Sequence, residues 1–387
     1  MTPKGQTETK VLPSSIKTPQ PLSTVFKGFN TRLANRPAAL FRPIPLGIET
    51  LDKAFSGGVH PTDLTIIAGR QNVGKTIFIT QIASNIARWA AEHQYPIVPW
   101  ICCYEHDEWE LFTRLLCMES WRVDPANPVS YKTIIDAIVK VKEKEENQED
   151  IITHLFEELP SSATEAMTEI SKYFDHLILY YGQRHILSVE NIQTIIRAYE
   201  KEHHQVLIPI MDYLQTIPPE IRMIQHAYDP LSGHLIIKRN LEALKNMCIE
   251  LQIPALVVAA VDNEALSRPG PVHIEDVAGP EETSYTVDSG IILNYDVVKG
   301  ASISNAENRK ASIRISVEKN RRGPVPLEWR HKFEGGAFYI DPKGEGIAFE
   351  DSYQKDRVNI IDDRVDAPSP DMRPEELLPS ANNKFNK

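Results

Sequence analysis

The eight residues Gly69-Arg70-Gln71-Asn72-Val73-Gly74-Lys75-Thr76 follow the spacing G-x-x-x-x-G-K-[ST]. Two glycines at that separation let the backbone curl round an anion with no Cβ in the way, so that successive N–H groups converge on it. Lys75 is placed to reach the terminal phosphates of a nucleoside triphosphate, and Thr76 to offer a hydroxyl to Mg²⁺. Gly69, Arg70, Gln71, Asn72, Val73, Gly74, Lys75 and Thr76 are therefore candidate contacts for ATP. Hydrolysis needs two further groups. Asp212 ends the apolar run Val206-Leu207-Ile208-Pro209-Ile210-Met211, a position from which a carboxylate and Thr76 can share Mg²⁺. Glu105 follows the apolar run from Ile97 to Cys103 and is the candidate base or water-orienting group. Glu108 and Glu110 read more simply as carboxylates that favour a helix start.

These groups must be held by a scaffold. Leu64 to Ala68 reads as a short buried strand that feeds the glycine loop. After it, Ile79, Ile82, Ala83, Ile86 and Ala90 recur at helical spacing across Thr76 to His93. Further strands are expected over Ile97–Cys103, His176–Tyr181, Val206–Met211 and Ala255–Val261, with an amphipathic helix over Leu235–Leu251. The series closes with Ser289–Tyr295, Ser312–Lys319, Leu327–Phe333 and Ala337–Ile340. Alternation of this kind predicts an α/β fold: a mostly parallel sheet flanked by helices, with an antiparallel hairpin edge. Pro209 inside a strand run is unexpected.

Composition bounds the rest. The chain has 387 residues, 42% hydrophobic and 25% charged, which excludes a collagen-like, wholly disordered or membrane-spanning protein. Its net charge of −11 excludes a uniformly basic DNA-coating surface, although not a local basic channel. Cys102, Cys103, Cys117 and Cys248 form no C-x-x-C pair and read as buried reduced thiols. With no apolar leader or spanning run, a cytoplasmic protein is expected. Residues 1–42 read as a basic disordered tail, solvated or serving as a nucleic-acid arm, and 343–387 as an acidic disordered tail. Between them a single domain, 43–342, carries a helical, charged insert at about 124–175.

Several segments resemble one family. Leu46-Gly47-Ile48-Glu49-Thr50-Leu51-Asp52, Gly57-Gly58 and the glycine loop resemble the opening of a RecA-type ATPase. The likeness is strongest to the ATPase domain of DnaB-type replicative helicases, with the KaiC and RadA ATPases as cousins. Tyr104-Glu105 with Arg114-Leu115-Leu116 resembles that family's S-L-E and R-L-L, and Asp212-Tyr213-Leu214-Gln215 its D-Y-L-Q. Leu241-Glu242-Ala243-Leu244-Lys245 with Ile253-Pro254, and Lys319-Asn320-Arg321-Arg322-Gly323-Pro324, resemble two later segments. The resemblance covers about 45 to 342. It implies a RecA-like fold, a hexameric ring, ATP between subunits, and an ATP-dependent DNA helicase of 5′-to-3′ polarity. Lys319 and Arg321 would then reach the γ-phosphate held by a neighbouring subunit. Single-stranded DNA and replication proteins are the implied partners.

The sequence departs from that pattern at three places. Ala259 and Ala260 occupy the positions of an S-Q pair whose Gln couples the γ-phosphate to DNA. In the loop that grips DNA, Gly279, Glu282, Tyr285 and Asp288 keep the frame, but Ala278 replaces a basic residue. From Asp262 to Glu282 the only fixed positive charge is Arg268. No helical domain is read ahead of the ATPase, where replicative helicases carry one that builds the ring and recruits primase. Two readings stay open: a DNA helicase or translocase, and a KaiC-like regulatory or partner-binding ATPase that does not unwind. A nucleotide-binding scaffold without turnover fits less well, because Lys75, Thr76, Glu105 and Asp212 are all present.

Overall fold

Short runs of Val, Ile, Leu and Ala between turn residues are buried on both faces, the pattern of strands inside a parallel sheet. In the computed structural model the described residues are 19–144, 151–183, 186–219, 233–279, 283–296 and 312–347. Helices α1 (Leu22–Asn35), α2 (Glu49–Ala54), α3 (Lys75–His93) and α4 (Glu108–Val123) accompany β1 (Leu64–Gly69) and β2 (Ile97–Cys103). Next come α5 (Tyr131–Lys144), α6 (Ile151–Glu158), α7 (Ser161–Ser171) and β3 (Ile178–Tyr181). Then follow α8 (Val189–His203), β4 (Val206–Asp212), α9 (Gly233–Leu251), β5 (Ala255–Ala259) and α10 (Asn263–Ser267). The chain continues with α11 (Thr283–Thr286), β6 (Ser289–Tyr295), β7 (Ser312–Asn320), β8 (Leu327–Glu334), β9 (Tyr339–Ile340) and β10 (Glu345–Gly346).

Among the described residues ten strands make one sheet in the order β10-β8-β7-β6-β1-β5-β4-β2-β3, with β9 paired to β8. The strands from β6 to β3 run parallel, and β7 to β10 add an antiparallel edge. This is the expected fold class. β1 lies at the centre, between β5 and β6, so the glycine loop at its end is framed by neighbours on both sides. β4 and β2 pair through Cys103 and Asp212, which brings the ends of two further strands to the same rim. Pro209 is tolerated for a local reason. It faces Trp100 on β2, while β4 pairs with β5 only at Ile210 and Met211, beyond the proline.

Helix ends follow their capping residues. Asp107 accepts the Glu110 N–H at 2.8 Å and starts α4, with Glu108 and Glu110 in its first turn. α3 starts at Gly74 and stops at Gln94, both in the left-handed region. A second apolar cluster joins α4 to α5, α6 and α7, through Leu115, Leu116, Ile134, Leu155, Ala163 and Ile170. Beneath it the Glu119 carboxylate is wholly buried and fully engaged. Ser84 Oγ, Arg122 Nη1 and Tyr173 OH donate to Oε1 at 2.8, 2.7 and 3.0 Å, and Arg88 Nη2 donates to Oε2 at 2.6 Å.

Some expectations need correcting. The stretch read as a structureless tail to residue 42 contains α1 and the short 3₁₀ turn Ala38–Phe41. Leu22, Val25, Phe26, Phe29 and Leu33 recur at helical spacing there, a signal masked by the surrounding Pro, Ser, Thr and Lys. The strand expected from His176 begins at Ile178, after a 3₁₀ turn, and β5 stops at Ala259 rather than Val261. The strand expected from Ala337 begins at Tyr339, because Phe338 adopts φ 53°. Residues 1–18, the acidic end from 348 and the tip 280–282 of the candidate DNA loop lie outside the described residues, as does 145–150 of the charged run.

Candidate functional site

Three chain segments converge at the C-terminal rim of the parallel strands: the loop after β1, the residues after β2 and the end of β4. The loop's shape rests on its glycines. Gly74 has φ +102°, and a Cβ at Gly69 would stand 2.4 Å from the Leu293 carbonyl oxygen. Asn72 is also left-handed, at φ 60°. Tyr295 OH donates to the Gln71 carbonyl at 3.0 Å and steadies the loop from β6. Phe333 of β8 packs against Gly74. The buried Val73 anchors the turn in the core.

Lys75 folds back over this loop and donates to the Gly69 and Arg70 carbonyls at 3.0 and 2.9 Å. Burial lowers its pKa, opposed by Asp212 and Glu105. Thr76 Oγ1 donates to Asp212 Oδ2 at 2.7 Å. Burial raises the Asp212 pKa, and Glu105 adds to that, against the Thr76 hydrogen bond and the Lys75 and His106 charges. Glu105 therefore lies within electrostatic reach of both Lys75 and Asp212, as expected for the second residue beyond β2. The backbone holds it there, since Tyr104 N–H donates to the Asp212 carbonyl at 2.8 Å.

The donor set fits ATP and Mg²⁺. A hydroxyl and a carboxylate oxygen face each other at the mouth of a cradle in which added Cβ atoms would collide or strain the backbone. Hard oxygen donors suit Mg²⁺. The four cysteines are buried and unbridged, and no helix among the described residues is long and apolar enough to cross a membrane.

Lys319 and Arg321 lie apart from this cluster, at the end of β7 and just beyond it. Lys319 Nζ donates to the Ser284 carbonyl. Arg321 donates to the Tyr285 carbonyl at 3.1 Å and pairs with Asp288 at 3.0 Å. Asp288 also receives Lys245 at 2.6 Å and the Leu64 N–H at 2.8 Å. Both cations are thus tied to α11 and the turn after it, within their own subunit.

Sequence reasoning missed three sets of contacts. Cys103 Sγ stands 4.0 Å from Asp212 Oδ2, and it accepts the His106 N–H at 3.3 Å. The matched ends of two strands could have signalled it. Arg70, a candidate ATP contact in the sequence, donates through its side chain to the carbonyls of Leu266, Ala265, Arg268 and Gly270 at 2.9, 3.2, 2.6 and 3.0 Å. Gln215 Oε1 accepts the Ala260 N–H at 3.1 Å and its Nε2 donates to the Ala278 carbonyl at 3.0 Å. Neither set of contacts has a sequence signature, because the partners are backbone groups of a distant segment. Arg268 is paired with Asp276, so its charge is already answered within the loop.

A family model described as the DnaB-like helicase C terminal domain matches residues 43–335. A probable replicative DNA helicase of Trieres chinensis is 23% identical over 283 residues, 72% of this chain and 53% of that protein. The replicative DNA helicase DnaB of Geobacillus stearothermophilus is 26% identical over 286 residues, 73% of this chain and 53% of its own length. The chain thus spans about half the length of these curated relatives. The solved structure of a DnaB-like replicative helicase, described together with its interactions with primase, superposes with a TM-score of 0.58 at 19% identity. The match covers 83% of this chain and 65% of that one. That likeness concerns the fold.

Proposed function

The chain belongs to the family of DnaB-like helicase C-terminal domains, and from that premise we propose that it is an ATP-hydrolysing motor that moves along and unwinds DNA as a ring. The observation that carries this reading is the rim cluster: Lys75, Thr76, Asp212 and Glu105 brought together by three strand ends. Gly69 to Thr76 would receive the phosphates of ATP through backbone N–H groups, with Lys75 offsetting the charge that develops on the leaving phosphates. Thr76 and Asp212 would hold Mg²⁺, which neutralises phosphate charge when bound. Glu105 would orient or deprotonate the attacking water.

Assembly into a ring, hexameric by resemblance, is part of the proposal. α1 supports it: Leu22, Phe26 and Phe29 are 82, 62 and 50% exposed along one stripe, a surface suited to being covered by another copy. Lys319 and Arg321 would act on the ATP of the adjoining subunit, exchanging their contacts to Ser284, Tyr285 and Asp288 for phosphate oxygens. Single-stranded DNA would run past the segment that leads to α11, gripped through backbone N–H groups more than cations. A 5′-to-3′ polarity, a cytoplasmic location and contacts with replication proteins belong to the same reading.

The neutral Ala260 and Ala278 and the paired Arg268 favour the second reading, a partner-binding ATPase that does not unwind. ATPase rate with and without single-stranded DNA, together with fork unwinding, separates the two. The proposal expects stimulation and unwinding, and a well-folded oligomer that shows neither refutes it. Mixing tests the trans role. Arg321→Ala is expected to be inactive alone and partly restored in mixed rings, and full activity alone would exclude it.

A further inference from the structure

Two side chains cross from the phosphate site to the segment 260–279, one from each side of the site. From the glycine loop, the Arg70 guanidinium spans the carbonyls of Ala265, Leu266, Arg268 and Gly270. A planar fork with five N–H donors fits such a cluster of acceptors, and no single point charge could hold them all. From the other side, Gln215 follows Asp212 by three residues and is the middle residue of the 3₁₀ turn Leu214–Thr216. That turn is short and firmly held. Leu214 is buried, Thr216 N–H donates to the Tyr213 carbonyl at 3.1 Å, and Thr216 Oγ1 donates to the same oxygen at 2.6 Å.

The far end of the segment is closed around Gln215. Ala278 N–H donates to the Ala260 carbonyl at 2.9 Å, and Asp262 N–H donates to the Asp276 carbonyl at 2.9 Å. The amide of Gln215 completes that small ladder by taking the Ala260 N–H and donating to the Ala278 carbonyl. Ala259 and Ala260, at the end of β5, have no side-chain donors or acceptors with which to sense the site themselves. Thr76 and Asp212 meet directly at 2.7 Å, so a ligand held by these two groups bears on the strand end from which the Gln215 turn departs.

We infer that Arg70 and Gln215 are positioning residues that carry the state of the phosphate site to the segment 260–279, in place of a side-chain sensor at 259–260. The inference rests on the nucleotide-binding reading above but not on unwinding. It makes that segment responsive to nucleotide through two brackets instead of one.

Backbone hydrogen exchange across 260–279, followed by mass spectrometry on the full chain, tests it with Mg²⁺ and a non-hydrolysable ATP analogue. The unsubstituted protein is expected to change its exchange rate there by roughly fivefold or more on binding the analogue. Gln215→Met keeps the side-chain volume and removes both hydrogen bonds. It is expected to bind a fluorescent analogue within about twofold of the parent and to lose the exchange response at 260 and 276–279. Gln215→Glu keeps the acceptor for Ala260 N–H and should fall between them. Arg70→Lys is expected to lose the response over 265–270, and an intact response there removes Arg70 from the proposal. A parent that binds the analogue without any response across 260–279, or a Gln215→Met variant with the full response, overturns the inference. A parent that binds no analogue overturns the nucleotide reading and this inference with it, and titration alone identifies that outcome.

Discussion

Two buried carboxylates, Glu119 and Asp212, both touch α3, the first through Ser84 and Arg88 and the second through Thr76, yet they sit in opposite chemical surroundings. Glu119 is wholly buried, and burial would push its pKa up, but Arg122, Arg88, Ser84 and Tyr173 together hold it below the usual carboxylate value. Asp212 is almost as buried, and burial, with Glu105 adding to it, holds it above that value against the Thr76 hydrogen bond and the Lys75 and His106 charges. Two guanidinium groups pair directly with Glu119, whereas among the described residues the cations near Asp212 act on it without a direct ion pair. Burial alone therefore does not separate a structural acid from a functional one; the inventory of partners does.

That contrast can be broken by substitution. The largest expected effect is on stability at the completed site: Glu119→Ala leaves Arg88 and Arg122 without their shared anion and should cost about 3–5 kcal/mol in chemical denaturation. Lys75→Ala is expected to lower ATP turnover by about 10²–10³-fold while leaving the denaturation midpoint in place. Retained hydrolysis would refute the phosphate-site assignment. Asp212→Asn should leave stability unchanged or raise it by about 1 kcal/mol while turnover collapses. A clear loss of stability there would show that Asp212 is structural in the same sense as Glu119.

The smallest effect is read by pH. Because the folded Glu119 pKa lies below its unfolded value, its stabilisation is complete above the unfolded value of about 4.3 and is lost as pH falls through the folded one. The urea midpoint should hold from neutral pH to about 5 and fall below about 4, and Glu119→Gln should flatten that fall. An equal fall in both proteins would assign it to other carboxylates.

The glycine loop was legible in the sequence because its pattern is local: Gly69 to Thr76 are contiguous, and flanking periodicity placed them between a strand and a helix. Asp212 and Glu105 were legible for a related reason, since each follows an apolar run and the ends of neighbouring parallel strands share one rim. The strand order was not legible, because hydrophobic pattern says which residues are inside but not which strand lies beside which. Gln215 illustrates the harder limit. Its two partners are backbone groups 45 and 63 residues away, and backbone groups carry no sequence identity. Lys319 and Arg321 were picked out by resemblance, yet their engagement with Ser284, Tyr285 and Asp288 could not be read from their spacing.

The candidate phosphate site is hydrogen-bonded to itself. The Lys75 ammonium is committed to the Gly69 and Arg70 carbonyls and the Thr76 hydroxyl to Asp212. Ligand entry would consequently be an exchange reaction in which donors change hands, its free energy a small difference between two bonded states. A neutral ligand of the same shape would gain almost nothing from that exchange, whereas a polyanion gains at every donor it captures. Selectivity for charge at such a site would thus be set by the partners its donors already hold.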